Sequence, residues 1–393
     1  MNHGLLTLNL IGQLAFGLLA MTICLPSMQE WGAIFGADQA AVQLTFSGYV
    51  MAYGFLQLLY GPLSDRLGRK KILLAGLSLA GLGSVLAALA PGIATITAAR
   101  VLQGAGSAAG MVVGRAMVQD LYQGPQRTRV MAFVGMAMGL CPPAATILGG
   151  QLHVRLGWQA NFWVIALLAV VLWVAAWRGL PDHQKPTGVQ PHWLTAMGAS
   201  YARLGREPAF ILYVLILAMT TGTFYVFLAG APIVLGSYGV GPDRIGYYIM
   251  CIPLAYIMGN WITSRLAHRT GDHAMMFMGQ ACTLLGIALM LGLGLAGVNT
   301  PLAFSLPLIL LGIGHGLLVP PTLTGTVSLV PALAGSAAAV AGLMQQLMGA
   351  AGGYTVGLVP HHGAVNLGWL MIGFALCATV ALALLTRRAR PAH

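Results

Sequence analysis

Gly61-Pro62-Leu63-Ser64-Asp65-Arg66-Leu67-Gly68-Arg69-Lys70-Lys71 packs one acid and four bases against two glycines, and it lies between two long apolar runs. The runs on either side, 41–62 and 71–90, are each predominantly apolar and about as long as the roughly 20 residues that cross a hydrocarbon core about 30 Å thick. A charged turn this short between such runs joins two membrane helices on the same side of a bilayer. Glycine lets the backbone turn tightly there, and Asp65 is placed to pair with a neighbouring arginine or a helix N-terminus and hold one conformation closed.

Outward from this turn the pattern repeats, with predicted spans at 5–25, 41–62, 71–90, 93–117, 129–150, 159–178, 209–232, 244–262, 274–297, 301–321, 333–357 and 365–386. The fold expected is therefore all-α and polytopic, twelve transmembrane helices in two six-helix halves. The longest gap, 179–208, is polar and Pro-rich (Pro181, Asp182, Lys185, Pro186, Pro191, Arg203, Arg206, Glu207, Pro208) and reads as a cytoplasmic linker between an N-terminal bundle, 1–178, and a C-terminal bundle, 209–393. Gly61–Lys71 has a degenerate echo in Gly259–Arg269, about 200 residues on, as expected for duplicated halves. Repeated halves favour alternating access over a simple pore.

Composition agrees with these spans. Of 393 residues, 58% are hydrophobic and 7% charged, with a mean hydropathy of +0.81. A soluble domain with a hydrated surface does not have that balance. The net charge of +11 follows from orientation. With the N-terminus inside, the cytoplasmic loops hold Arg66, Arg69, Lys70, Lys71, Arg127, Arg129, Arg178, Lys185, Arg203, Arg206, Arg265, Arg269, Arg387, Arg388 and Arg390. The opposite side holds Arg155 and Arg244. This is the positive-inside asymmetry, and it fails if one span is added or removed before the linker. Both termini are expected in the cytoplasm and the chain in a bacterial inner membrane, in contact with anionic lipid and without a nucleic-acid partner. The first apolar run is longer than a signal-peptide core and reads as a retained span. Cys24, Cys141, Cys251, Cys282 and Cys377 lie in or beside apolar segments with neither disulfide nor metal-ligand spacing. No convergent nucleophile, base or metal cluster marks an enzyme, and no cofactor is implied. His361-His362 does not make a metal pair, because adjacent residues point apart on a helix.

Inside the spans, polar residues need partners or a water-filled path. Arg100, in Arg100-Val101-Leu102-Gln103-Gly104-Ala105-Gly106, puts a permanent charge in span 4. Its alternative is snorkelling to the interface. Arg115, further along that span, is expected to pair with Asp120 or with lipid phosphate. Candidate cavity residues are Asn9, Gln13, Thr22, Tyr49, Tyr53, Arg100, Gln103, Tyr225, Gln345 and Gln346, against the alternative that such groups bind helix to helix. His315, in Gly312-Ile313-Gly314-His315-Gly316, is the deep histidine and a candidate proton carrier beside Arg100. Its alternative is a hydrogen bond to a neighbouring helix. Span 5 reads Gly135-Met136-Ala137-Met138-Gly139-Leu140-Cys141-Pro142-Pro143 and then Gly149-Gly150, from which a bend and a sliding contact are expected. Methionines such as Met136, Met138, Met344 and Met348 could form an adaptable apolar wall, though most serve packing or face lipid.

These motifs resemble those of the major facilitator superfamily. Gly61, Asp65, Arg66, Gly68 and Arg69, with Asp120, match its signature cytoplasmic gating loop. The Arg100 segment is similar to its second motif, whose arginine is linked to proton coupling. Gly139, Pro142, Pro143, Gly149 and Gly150 look like the motif that marks its antiporters. Leu25-Pro26, Gln57 through Asp65, Asp120-Leu121-Tyr122, Gly157 through Trp163 and Gly222 through Phe227 together resemble the Bcr/CflA drug:proton antiporters. That resemblance implies a monomeric exporter of small drug-like molecules, with protons as the coupling ion. One position departs from it: where the family's first span carries an Asp four residues before the proline, this chain has Thr22. No other Asp or Glu falls within the predicted spans, so a weakly proton-coupled facilitator or metabolite exporter of the same fold is the alternative.

Overall fold

The computed structural model describes residues 3–182 and 193–389. Lys185, Pro186, Pro191 and Arg390 of the loop assignments lie outside the described residues. Among those described, the chain forms α-helices with one short 3₁₀ turn and no strand. In a bilayer core only helices, or a closed barrel, satisfy every backbone N–H and C=O internally.

The first half contains α1 (His3–Thr22), a short α2 (Met28–Phe35), α3 (Gln39–Leu67), α4 (Arg69–Ala88), α5 (Ile93–Leu121), α6 (Gly124–Leu156) and α7 (Gln159–Gly179). After it come α8 (Trp193–Leu204), α9 (Pro208–Ser237), α10 (Pro242–Ile249), α11 (Cys251–Thr270), α12 (Asp272–Leu295), α13 (Pro301–Ser305), α14 (Ile309–Ser328), α15 (Ala334–Gly357) and α16 (Ala364–Ala389). Taking α10 with α11 and α13 with α14, these supply a helix for each of the twelve predicted spans. Among the described residues, nine stretches are long and apolar enough to cross a membrane on composition alone. The long helices that fall short are α3, α5 and α15, which carry Tyr49 and Tyr53, Arg100 and Gln103, and Gln345 and Gln346 respectively. Large apolar side chains such as Leu167, Val170, Trp177, Leu285, Trp369 and Val380 lie exposed on the helix surfaces, as lipid contact requires.

Four local expectations need correction. The charged segment 61–71 is almost wholly helical: α3 runs through Leu67, α4 starts at Arg69, and Gly68 alone breaks them at φ 99°. A side chain rarely adopts that backbone conformation, so one glycine does what a loop was expected to do. Its counterpart in the second half is Gly271, at φ 80° between α11 and α12, which lies just beyond the Gly259–Arg269 echo. The polar linker contains α8, whose Leu204 is buried with Phe210, Val214, Leu217, Ala337 and Ala341. The gap left between the first two predicted spans, 26–40, also contains a helix, α2, where Trp31 packs against Trp158 and Phe162 with ring centroids 6.0 and 6.1 Å away.

By contacts the chain divides into residues 1–189 with 241–247, and 190–240 with 248–393. In the first unit α5 is central. Gly104 admits the Tyr49 carbonyl of α3, Gly106 the backbone of Ala80 on α4, and Gly110 the Gln13 carbonyl of α1. A methyl group at any of the three would meet backbone, so these glycines set how closely three helices approach one another. In the second unit α14 has the same role: Gly312 and Gly316 face α11, at the Ile252 and Tyr256 carbonyls, while Gly314 faces the Gly279 carbonyl of α12.

Candidate functional site

Arg100 is fully buried and does not snorkel. Its guanidinium reaches the C-terminal end of α1, where Nη1 donates to the Ala20 carbonyl at 2.8 Å and Nη2 to the Met21 carbonyl at 3.2 Å. The last carbonyls of a helix lack intrahelical donors and carry its negative partial charge, so this end solvates a cation as a capping lysine or arginine would. Nη1 also donates to Gln103 Oε1 at 2.6 Å, and the Tyr49 ring lies 4.2 Å from the guanidinium carbon. Gln103 donates in turn to Ser84 Oγ at 2.7 Å, and Ser84 to the Ala80 carbonyl. Tyr49 donates to the Gly17 carbonyl at 2.7 Å, and Tyr53 stacks on Tyr49 at 6.1 Å between centroids. Four helices of the first unit thus meet at one charge.

Thr22 is buried one residue beyond these carbonyls and donates to Leu18 O of its own helix at 2.8 Å. Asn9 and Gln13 point elsewhere. Asn9 donates to Ala175 O at 2.7 Å and Gln13 to Leu172 O at 3.0 Å, which makes both hydrogen-bonding links between α1 and α7. The structure thus gathers Tyr49, Tyr53, Arg100 and Gln103, and separates Asn9 and Gln13 from them.

At the Gly68 hinge, Arg69 pairs with Asp65 on α3 at 2.5 Å and with Asp120 on α5 at 3.2 Å, and donates to Ser64 Oγ at 2.8 Å. One guanidinium joins α3, α4 and α5. Arg66 and Gly61 flank this knot, and Arg115 lies exposed on α5. On α6 the helix continues unbroken through Pro142 and Pro143, where the Thr146 hydroxyl donates to both of their carbonyls. Gly149 lies against the Ile23 carbonyl and Gly150 against the Pro242 carbonyl, whereas Gly135 has open space around it. Gly139 lies between, half-buried.

In the second unit Tyr225 donates to Gln346 Oε1 at 3.2 Å, and Gln345 donates to Thr221 Oγ1 at 3.0 Å, both between α9 and α15. His315 is 5% exposed, and its ring lies 6.2 Å from that of Phe224 on α9. Its Nε2 has no hydrogen-bond partner among the described residues, so the expected bond to a neighbouring helix is not made through that atom.

Sequence reasoning passed over Ser84 and the pair formed by His153 and Glu30, 2.9 Å apart. A serine in an apolar span gives little signal, and Glu30 and His153 are 123 positions apart. No group of His, Cys, Asp and Glu among the described residues could hold a metal ion.

The family model of the Major Facilitator Superfamily matches residues 10–353. The chain is 28% identical over 368 residues to multidrug resistance protein D of Escherichia coli (strain K12), covering 93% of this chain and 92% of that one. It is 30% identical over 379 residues to a chloramphenicol resistance protein of Pseudomonas aeruginosa, covering 93% and 86%. The crystal structure of a peptide transporter superposes with a TM-score of 0.78 at 16% identity, covering 98% of this chain and 94% of that one. The fold, the end-to-end match and the glycine-hinged charged turn agree: this chain belongs to the major facilitator superfamily.

Proposed function

We propose that the chain exports small drug-like molecules across the bacterial inner membrane by alternating access of its two halves, 1–178 and 209–393, with the linker 179–208 and both termini in the cytoplasm. The observation that carries this reading is the end-to-end relation to multidrug and chloramphenicol resistance proteins. The basic loops support the orientation. The Arg69 knot at Gly68 is suited to act as a latch that forms and breaks between conformations, and the close contacts of Gly149 and Gly150 suit a sliding helix surface. Tyr49, Tyr53, Arg100 and Gln103, and Tyr225, Gln345 and Gln346, are the polar groups of the transport path. The chain acts alone, as a monomer, on small-molecule substrates.

A second reading, weak proton coupling, is supported by Thr22. Arg100 takes its acceptors from the Ala20 and Met21 carbonyls, and these do not titrate. With no carboxylate beside it among the described residues, Arg100 lacks the acid–arginine exchange that a proton can drive.

Uptake of radiolabelled chloramphenicol into everted membrane vesicles, with and without a pH gradient, tests both readings. Accumulation above that of vesicles lacking the protein is expected, with a small response to the gradient and a larger one in Thr22→Asp. Absence of accumulation from a panel of neutral and cationic drugs would refute export. Strong, gradient-dependent uptake by the unmodified chain would refute weak coupling.

A further inference from the structure

The glycines at 312, 314 and 316 fix how α14 is turned. Two of them press on α11 and one on α12, so the intervening His315 is directed to the remaining side, where α9 presents Phe224. The two rings meet edge to face, at 62° between planes and 6.2 Å between centroids. Phe227 follows, 6.1 Å from Phe224, and stacks on Phe304 at 6.1 Å and 24°. His315 is 5% exposed and its Nε2 is unpartnered, although a polar atom enclosed in a helical bundle normally has a hydrogen-bond partner. Phe224 is half-buried while Tyr225, Val226 and Phe227 beside it are buried, so Phe224 is the member of the aromatic row that keeps exposed surface.

We infer that His315 and Phe224 form a subsite for a neutral aromatic ligand bearing a hydroxyl or amide. This rests on the export reading and names a substrate class for it. The ligand's ring extends the edge-to-face series of Phe224, and its polar group pairs with His315 Nε2. A hydroxyl or amide can donate or accept, so it serves either imidazole tautomer. Neutrality follows from the acids of the second unit: Glu207 precedes α9 and Asp272 opens α12, both at helix ends, so a cation at mid-span would have no counter-charge within that unit. Aromaticity follows from the rings, which favour offset or perpendicular aromatic neighbours over aliphatic ones.

Equilibrium binding of tritiated chloramphenicol, a neutral ring with hydroxyl and amide groups, to the purified full-length chain in detergent gives the test. His315→Leu should weaken binding at least tenfold and Phe224→Leu about threefold or more. His315→Gln, which keeps a donor and an acceptor, should stay within about threefold of the native chain. Gel-filtration profile and thermal midpoint check that each variant is folded. A folded His315→Leu that binds within twofold of native overturns the subsite, as does a Gln variant as weak as the Leu variant. So does a native chain that does not bind chloramphenicol. The vesicle experiment reads export separately, so a chain that binds but does not export would count against the transport reading and leave the subsite standing.

Discussion

Replacing Gln103 with leucine tests whether the buried charge in the first unit is held as described. The substitution keeps side-chain bulk, removes the acceptor 2.6 Å from Arg100 Nη1, and removes the donor 2.7 Å from Ser84 Oγ. A hydrogen bond to a charged group contributes about 1.5–3 kcal/mol and a neutral one about 0.5–1.5 kcal/mol. The sum is roughly 2–4 kcal/mol, because the Ser84 hydroxyl keeps its bond to Ala80 and Arg100 keeps two carbonyls. At about 2–4 °C per kcal/mol for a unit of this size, the thermal midpoint in detergent should fall by about 4–16 °C. Gln103→Glu restores an acceptor, and a charged one, so it should recover more than half of that loss. Fluorescence-monitored unfolding of the three proteins under one buffer condition measures this directly. A leucine variant within about 1 °C of native, or a glutamate variant as unstable as the leucine one, would refute the view that Arg100 depends on Gln103.

Arg69→Ala removes the tie between α3, α4 and α5, and the initial export rate should fall at least tenfold at near-native expression. Arg69→Lys should restore only part of it, since one ammonium does not reproduce the guanidinium's planar fork to two carboxylates; full activity in the alanine variant would remove the latch from the mechanism. Gly149→Ala places a methyl group against the Ile23 carbonyl, so folded yield and transport should both drop, while Gly135→Ala, with open space around it, should behave as native. Equal effects of the two would show that the α6 glycines do not act through close approach. His361 lies between α15 and α16, where burial first, and then His362, hold its imidazole below the usual histidine range, against a hydrogen bond to the Val356 carbonyl that raises it. The unfolded chain therefore takes up this proton before the native chain does. Stability should decline as pH falls from about 6.5 through the native value, then level off. His361→Gln should flatten that decline between pH 7 and 5, and an unchanged pH profile of the thermal midpoint would contradict it.

The spans were legible because a bilayer imposes a length on every helix, and the runs around Gly61–Lys71 show it without any knowledge of packing. The charged turn was legible as a motif but not as a helix. Polar residues read as loop in water-facing chains, yet Asp65, Arg66 and Arg69 complete the ends of two helices that only Gly68 separates. The same bias hid α8 within the linker, where Leu204 follows polar residues and is buried with residues of α9 and α15. Within the site, Arg100 was conspicuous because charge is rare in a span, but its acceptors were invisible. Every residue has a carbonyl, and only the position of the α1 terminus makes Ala20 and Met21 different from the rest. Gln13 and Gln103 looked alike in the sequence. The packing separates them, because Gly110 brings α1 against α5 while Gln13 itself turns to α7.

The departure at Thr22 and the placement of Arg100 are then two sides of one fact. A guanidinium within the membrane needs a partner of opposite sign or a set of oriented dipoles. A carboxylate can supply the first, but its attraction is lost whenever it takes a proton, and a cycle can use that loss. The end of α1 supplies the second. Two carbonyls, an amide and an aromatic face surround Arg100, and none of them is a carboxylate. The bond between α1 and α5 in this chain is therefore a fixed clamp, and these two helices should move as one body through the transport cycle. Whatever drives the conformational change then has to act elsewhere. The Arg69 knot can break by rearranging its carboxylate partners without any change of protonation, and occupancy of the His315 subsite would supply a binding energy that differs between conformations. On the weak-coupling proposal, a first span without an acid would leave the trigger to the substrate rather than a proton, with the second unit as the part of the chain that senses it.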